Sequence, residues 1–520
     1  MKASDYPPSG GPIDSANQVR QDRAHPGDHQ RAASALLCGS SKTVRRRPSV
    51  KWARSVDGVL VWLFGRSKLI GLETSAQGRV ARVAVGQEPE TISDAGHRRR
   101  LRRAVIASTV GTAIEWYDFF LYSTVTGLIF ARLYFPRADP LVGTLEAFGV
   151  YAVGFLARPL GAAIFGHYGD RLGRKAALVA TLLLMGVATF LVALVPGYER
   201  IGIWGGIILT VLRFIQGVGV GGEWGGSVLL SMEWARTDRH RGFIASWPQF
   251  GVPAGLFLAN LAVLALSALS GEQFLTWGWR VPFLLSILLV ALGLYIRLGI
   301  EETPVFVALL ARRRLERAPV LEVIRRHPRE IVLTALCRMA EQAPFYLFTA
   351  FVFAYGTGVL HLQRDFLLVA VLAAATVSFV SIPYFGHLSD RYGRKRIYLL
   401  GAALTGIAGF AYFAMLDSRV PALVVLAIVV SLVPHDMMYG PQAALIAESF
   451  TGRLRYSGSS LGYQLSSLVA GGPAPLIATS LLSRYHSATP IALFILACSV
   501  VSILATAMLT DRTNQDISDD

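Results

Sequence analysis

The chain has 520 residues, of which 53% are hydrophobic and only 16% are charged. Soluble proteins carry about 25% charged residues, so this composition excludes a soluble globular domain and indicates a helical membrane protein. The formal net charge of +16 does not indicate a nucleic-acid partner, because the arginines lie in one tail and in short loops. The cysteines, Cys38, Cys337 and Cys498, are too far apart for a metal or redox motif, so no metal and no cofactor is expected.

The N-terminal segment, residues 1–100, differs from the rest of the chain. It is rich in Arg, Ser, Gly and Pro and has no periodic apolar pattern, which predicts a disordered basic tail. Its role stays open between contact with anionic lipid and a dispensable extension. The last arginines, from Arg98 to Arg103, directly precede the first apolar run and predict a cytoplasmic N-terminus.

Apolar runs of about 20 residues, the length that crosses a bilayer as a helix, then recur to the end of the chain. They predict twelve spans, at residues 104–131, 145–166, 176–195, 202–226, 242–266, 281–299, 331–356, 366–387, 397–415, 421–446, 458–481 and 488–509. The long polar break at 300–330 separates an N-terminal half, 101–299, from a C-terminal half, 331–510, and residues 511–520 form a short tail.

The charges of the predicted loops are distributed unevenly. The loops on the N-terminal side of the membrane hold most of the arginines and lysines, whereas the opposite loops hold scattered single arginines. By the positive-inside rule both termini and the central loop lie in the cytoplasm.

A charged decapeptide occurs twice, 220 residues apart, after the second and eighth spans. It reads Gly166-His-Tyr-Gly-Asp170-Arg171-Leu-Gly173-Arg174-Lys175 and Gly386-His-Leu-Ser-Asp390-Arg391-Tyr-Gly393-Arg394-Lys395. A tight Gly-containing turn between two apolar helices predicts a hairpin at the membrane surface. Its repetition predicts that the two halves are structural repeats.

With these decapeptides, two sets of six spans and a long middle loop, the chain resembles the major facilitator superfamily over about residues 104–510. Further motifs are similar to the metabolite:proton symporter group, namely Glu115-Trp-Tyr-Asp118-Phe, Phe155-Leu-Ala-Arg158-Pro, Arg213-Phe-Ile-Gln216-Gly and Arg453-Leu-Arg455-Tyr. The resemblance implies an all-α integral membrane protein with twelve transmembrane helices in two six-helix halves. It also implies a monomeric permease of the cell membrane, whose partners are protons and a small carboxylate, proline or betaine.

Two carboxylates near mid-depth of the first span are candidates for proton coupling. Glu115 and Asp118 are three residues apart, so they share one face of the helix. Charges at this depth are costly and are functional candidates by default, and mutual repulsion favours a bound proton. The alternative is one buried carboxylate that fixes helix packing through an arginine.

Buried cations are candidates for substrate or proton contacts. The resemblance associates Arg213 of the fourth span with proton transfer. Substrate candidates are Tyr122, Arg158, Gln249, Arg338 and Glu341. Arg338 and Glu341 are one turn apart, so an internal ion pair is equally compatible with the spacing. His435 beside Asp436 in the tenth span favours a packing pair.

The aspartates of the decapeptides have a predicted mechanical role. Asp170 and Asp390 lie at the cytoplasmic surface, where each can bind the positive N-terminal end of a helix in the other half, the eleventh and fifth spans respectively. Such contacts would close the inner side of the protein. The alternative, topology anchoring alone, explains the basic residues but not the aspartates.

These features predict a secondary active transporter, not an enzyme, that imports a small organic acid or zwitterion with protons. Two alternatives are a proton-driven exporter and a transporter-like sensor.

Overall fold

The computed structural model describes residues 94–513 and 515, except 138–139, 235–239, 304–305 and 308–317. The described residues are almost entirely helical and include no strand. The predicted tail, residues 1–100, lies outside this part of the chain except for its last seven residues. These seven form the first turns of the first membrane helix, which begins at Asp94, ten residues before the predicted span.

Twelve helices of membrane-crossing length follow in the described part of the chain. They are α1 (Asp94–Val125, continued to Tyr134), α2 (Pro140–Leu172), α3 (Arg174–Val192), α4 (Trp204–Met232), α5 (Arg241–Ser270), α6 (Arg280–Leu298), α7 (Pro328–Cys337, Met339–Tyr346 and on to Gly358), α8 (Arg364–Tyr392), α9 (Arg394–Asp417), α10 (Pro421–Ala447), α11 (Arg455–Leu465, continued to Tyr485) and α12 (Thr489–Met508). Ten have the length and hydropathy of a membrane span. The other two are α1, which carries the arginine cluster, and α7, which is interrupted at Arg338. The predicted twelve-helix architecture is confirmed.

Both decapeptides form the predicted hairpins. The turn residues are Gly173, with φ 108°, and Gly393, with φ 95°, a backbone conformation that residues with a Cβ rarely adopt. Each turn ends one long helix and begins the next, α2 to α3 and α8 to α9. The sharp reversal therefore places the charged residues together at one end of the bundle, here named the motif end.

The two halves also share a backbone distortion. A π-helical turn interrupts α1 at Thr126–Phe130, and another interrupts α7 at Leu347–Phe351, 221 residues later. The spacing matches the repeat of the decapeptides. π-Helical turns are frequent at functional sites, and these two lie at equivalent places in the first helix of each half.

The halves meet chiefly along α2 with α11 and α5 with α8, and α5 with α10 and α4 with α11 are also in contact. The predicted central loop, residues 300–330, contains a helix at Pro319–Arg326 that packs on α2 and α11. The polar composition did not reveal this helix, whose Val323 is fully buried. It therefore packs across the same pair of helices that joins the halves.

Candidate functional site

At the motif end, Asp390 caps the first turn of a helix in the other half. Its two carboxylate oxygens accept hydrogen bonds from the backbone N–H groups of Gly242, at 2.7 Å, and Phe243, at 2.8 Å. Both donors lie in the first turn of α5, whose N–H groups have no partner within the helix. The contact therefore joins α8 to α5.

Asp170 makes the equivalent contact in the opposite direction. One of its carboxylate oxygens accepts hydrogen bonds from the backbone N–H of Ser457, at 3.0 Å, and from the Ser457 hydroxyl, at 2.8 Å. Ser457 lies in the first turn of α11. Each aspartate thus contacts the helix that its position in the sequence predicted, and the halves are joined at the motif end.

The arginine of each decapeptide connects this contact to a buried glutamate. Arg174 lies 3.4 Å from both Asp170 and Glu233, which follows the end of α4. In the C-terminal half, Arg394 lies 3.4 Å from Asp390 and 2.5 Å from Glu448.

Glu448 also pairs with Arg241 at 3.2 Å. Burial raises the pKa of Glu448 to about 7, against the lowering effect of Arg394, Arg241 and Arg455. This carboxylate is therefore the group of the motif end whose charge is most sensitive near neutral pH.

The decapeptide lysines bind the C-terminal ends of other helices. Lys175 donates to the carbonyls of Leu298 and Ile300 after α6, and Lys395 donates to those of Ala507 and Leu509 at α12. Cations are stabilised at such helix ends. Each lysine therefore ties the α2–α3 or α8–α9 hairpin to the last helix of its own half.

Glu302 of the central loop caps the hairpin of the N-terminal half. It accepts hydrogen bonds from the N–H groups of Arg174, at 3.1 Å, and Lys175, at 3.2 Å, and burial raises its pKa. In the C-terminal half the hydroxyl of Thr513 accepts the hydrogen bond from Arg394 N–H. The hairpins are thus closed by different side chains.

The remaining decapeptide residues have simpler surroundings. Gly166 lies against Ser457, and Gly386 lies against Ser246, so both glycines face the opposite half. Arg171 contacts His167, and Arg391 is exposed beside the ring of Tyr392.

In the middle of the bundle, α4 packs directly on α2 through two glycines. A Cβ on Gly217 would collide with the backbone of Gly154, and one on Gly221 would collide with the backbone of Arg158. Such close approach is typical of small-residue helix interfaces. It brings Arg158 of α2 next to Arg213 of α4.

These two guanidinium groups both contact one aromatic ring. The Cζ atoms of Arg158 and Arg213 are 4.5 Å and 4.6 Å from the ring centre of Phe119. Arg213 is also 4.4 Å from the ring centre of Tyr122 and 4.8 Å from that of Tyr151. Cation–π contacts with buried rings are favourable, but they neutralise no charge.

Both guanidinium groups also keep unused hydrogen-bond donors. Arg158 and Arg213 are 1% exposed, and in each the Nε and Nη2 atoms are buried with no acceptor in the described part of the protein. Arg213 donates only to Gln216, at 3.2 Å. Neither pairs with a carboxylate there. Because a buried unpaired cation is strongly unfavourable, this pair is suited to an anion.

Asp118 is the complementary feature of α1. It is 1% exposed, and neither carboxylate oxygen has a hydrogen-bond partner among the described residues. The facing hydroxyl of Thr189 donates instead to the carbonyl of Met185. The Tyr122 hydroxyl is likewise buried without a partner. A buried carboxylate in this setting favours its neutral, protonated form.

Glu115, one turn earlier, faces a different set of charges. It is 3% exposed and interacts electrostatically with Glu223 of α4, Arg158 and Arg297 of α6. Arg297 forms a buried ion pair with Glu223 and donates to the carbonyl of Leu178. Glu115 and Asp118, predicted as a pair on one face, do interact electrostatically, and Glu115 in addition faces the charges of Glu223, Arg158 and Arg297.

On the other side of the interface, the charges of α7 are paired within the protein. Arg338 forms an ion pair with Glu341 at 3.1 Å and donates to Gln442 and Ser466. Glu341 also lies 3.5 Å from His435. The spacing of Arg338 and Glu341 was compatible with an internal ion pair or with a substrate role, and the structure has the ion pair. His435 in turn contacts Asp436 at 2.9 Å.

Gln249 of α5 joins two aromatic residues across the interface. Its side chain accepts a hydrogen bond from the Trp224 indole at 2.8 Å and donates to the carbonyl of Tyr439 at 3.3 Å. Trp224 stacks on Tyr463 of α11 with ring centres 3.7 Å apart. These contacts separate the central arginines from the motif end.

The sequence analysis did not assign roles to several of these residues. Glu223, Arg297, Glu233 and Glu448 are charged residues in or beside apolar spans, which is itself a signal. Glu233 and Glu448 directly follow α4 and α10, which are equivalent helices of the two halves, although their separation of 215 residues differs from the decapeptide offset. Glu302 gave no signal, because its partners are backbone N–H groups.

Comparison with known proteins gives the family. Residues 103–331 match the family model described as sugar (and other) transporter, and residues 226–456 match MFS/sugar transport protein. The chain is 40% identical to the shikimate transporter of Escherichia coli (strain K12), with 79% of this chain and 95% of that protein covered. It is 32% identical to the proline/betaine transporter of the same organism, with 82% and 86% covered.

A solved structure of the proton:xylose symporter XylE bound to 6-bromo-6-deoxy-D-glucose has the same fold. The TM-score is 0.65 at 16% identity, with 81% of this chain and 98% of that chain covered. The helix arrangement, the two charged hairpins and these relatives agree. The chain belongs to the major facilitator superfamily, in the group that contains the shikimate and proline/betaine transporters.

Proposed function

We propose that this protein imports a small organic carboxylate together with protons, by alternating access between its two halves. The observation that carries the proposal is the pair of buried guanidinium groups, Arg158 and Arg213, whose free donors have no acceptor in the described part of the chain. Planar guanidinium groups bind carboxylates through two parallel hydrogen bonds. A carboxylate substrate therefore supplies the missing negative charge.

The same observation favours an anion over a zwitterion. A betaine also needs a site for its cation, and the nearby aromatic rings of Phe119 and Tyr122 already face guanidinium groups. Among the relatives, this chemistry fits the shikimate transporter, because shikimate is a carboxylic acid.

Asp118 is the proposed proton carrier. Its buried carboxylate has no hydrogen-bond partner among the described residues, so the proton that neutralises it comes from solvent when the site is open. Binding of the anion near Arg213 and of a proton at Asp118 leaves the net charge of the site unchanged, but it pairs a guanidinium group with an anion and neutralises the unpartnered carboxylate. Such a loaded site is less costly to occlude from water.

The motif end is proposed to be the cytoplasmic side, because the arginine-rich ends of α1 and the central loop lie there. The capping contacts of Asp170 and Asp390 then hold that side closed. Release of the substrate into the cell requires that both contacts break.

The proposal is tested with purified protein in liposomes, where uptake of labelled shikimate and citrate is compared with uptake of proline and betaine. We expect uptake of a carboxylate and none of betaine. Arg158→Gln and Arg213→Gln should each weaken carboxylate binding at least about thirtyfold, since a buried charge pair is worth about 2–5 kcal/mol.

Thermal stability separates a binding role from a structural one. Without substrate, Arg213→Gln removes an uncompensated buried charge, so the melting temperature should not fall. Arg338→Gln breaks a buried ion pair and should lower it clearly. Betaine transport without carboxylate transport, or equal destabilisation by both substitutions, would contradict the proposal.

A further inference from the structure

We propose that a groove between the first turns of α1 and α5 binds one anionic phospholipid from the membrane leaflet at the motif end. The groove has a volume of about 500 Å³. It lies away from the central arginines, so the proposal does not depend on which substrate is carried. None of the described residues that line it is acidic.

The lining of the groove is divided along α1 into a basic part and an apolar part. Arg98 and Arg102, one turn apart, line its basic end. Val105, Ile106 and Val110 follow on the next two turns. Basic pockets of this kind between membrane helices bind anionic lipid headgroups, and the apolar turns match the acyl chains that continue from the headgroup.

The described wall from α5 is apolar. Phe243 and Trp247, one turn apart, supply its aromatic surface. Tryptophan is enriched where headgroups meet acyl chains. From Arg98 to Val110 the helix rises about 18 Å, enough to accommodate a phosphate and the upper part of one chain.

The exposure of the groove also fits a lipid. Arg102 is exposed, and Ile106 is 46% exposed, so both the basic and the apolar part of the groove are accessible from outside the bundle. The chain's own N-terminal segment is a less suitable occupant. Residues 1–93 contain 14 basic and 8 acidic residues, so their net charge repels Arg98 and Arg102.

The groove adjoins one of the contacts between the halves. Phe243 lines it through its side chain, while its backbone N–H donates to Asp390. A lipid packed against Phe243 therefore stabilises the first turn of α5 in the position that Asp390 caps.

The test uses the full chain, purified in detergent and titrated with phosphatidylglycerol or phosphatidylcholine, with bound lipid counted by native mass spectrometry. We expect one phosphatidylglycerol to be retained in preference to phosphatidylcholine. The variant Arg98→Gln/Arg102→Gln should reduce this retention about thirtyfold, because each basic residue contributes about 1 kcal/mol near an anionic lipid.

The matched control is Arg99→Gln/Arg103→Gln. It removes the same charge from the same turns, but these exposed arginines do not line the groove. Its lipid retention should stay close to that of the wild type. Trp247→Ala is a second variant that keeps all the charges, and it should lower retention about tenfold through lost apolar contact.

Three results would overturn the proposal. If both double variants reduced phosphatidylglycerol retention equally, the lipid would be attracted by the whole basic cluster and not bound in the groove. Equal retention of the two lipids by the wild type would show that charge is not recognised. Retention that appears only after residues 1–90 are deleted would show that the chain's own segment occupies the groove.

Discussion

Replacing Asp390 with asparagine should shift the resting protein towards the state that is open at the motif end. The carboxylate accepts two backbone hydrogen bonds from α5, at 2.7 and 2.8 Å, and lies 3.4 Å from Arg394. Asparagine keeps one acceptor oxygen, so one of the two bonds and the charge are lost. A hydrogen bond to a charged group is worth about 1.5–3 kcal/mol, which predicts a change of about 10- to 100-fold in the ratio of the two states.

The shift is measurable with cysteine reporters buried between the halves. Ser246 of α5 and Ser460 of α11 are both 0% exposed, and each faces a glycine of the opposite half. In a background without native cysteines, a reporter at either position should react faster with a polar maleimide in the Asp390→Asn protein.

Arg391→Gln is the matched control for this experiment. Arg391 belongs to the same decapeptide but is exposed beside Tyr392, so its labelling should equal that of the parent protein. Unchanged labelling in Asp390→Asn, with transport nevertheless lost, would show that the aspartate acts in folding or orientation and not in closing this end.

Two further predictions follow from the motif end and the tail. Burial raises the pKa of Glu448 to about 7, so protonation of this carboxylate favours the closed motif end. The stability that Glu448 contributes to the closed end is fully present below about pH 4.5 and is lost as the pH rises through 7. Reporter labelling, normalised to an exposed cysteine, should therefore be lower at pH 5.5 than at pH 8, and Glu448→Gln should abolish the difference; a persisting difference would refute the assignment. Deleting residues 1–90 should leave membrane insertion and uptake intact, because α1 begins at Asp94 and keeps its five arginines; loss of insertion would contradict this.

The sequence predicted the fold well because its signals were local and repeated. Twelve apolar runs have the length of a span, and the decapeptides mark both halves. The glycines at 173 and 393 occur where the turns need them. The contacts of Asp170 and Asp390 were also predictable, because a carboxylate at the membrane surface is attracted to the positive N-terminal end of a neighbouring helix.

The central site was less predictable, because its chemistry depends on which buried arginines have a carboxylate partner within the protein and which do not. Arg158 and Arg338 looked alike in sequence, as single arginines within apolar spans. Only packing shows that Arg338 pairs with Glu341, whereas Arg158 faces aromatic rings and has unused donors. Spacing likewise suggested a carboxylate pair at Glu115 and Asp118, but neighbouring helices give them different surroundings.

The central claim is that entry of a carboxylate is coupled to entry of a proton at Asp118. The most direct measurement records internal pH, with a trapped dye, while shikimate or another transported carboxylate enters liposomes that contain the protein. Wild-type protein should acidify the interior in step with uptake. Asp118→Asn should still exchange labelled for unlabelled substrate. It should not acidify the interior, and an inward proton gradient should not drive accumulation of the substrate. Uptake without acidification in the wild type, or wild-type acidification in Asp118→Asn, would contradict the claim.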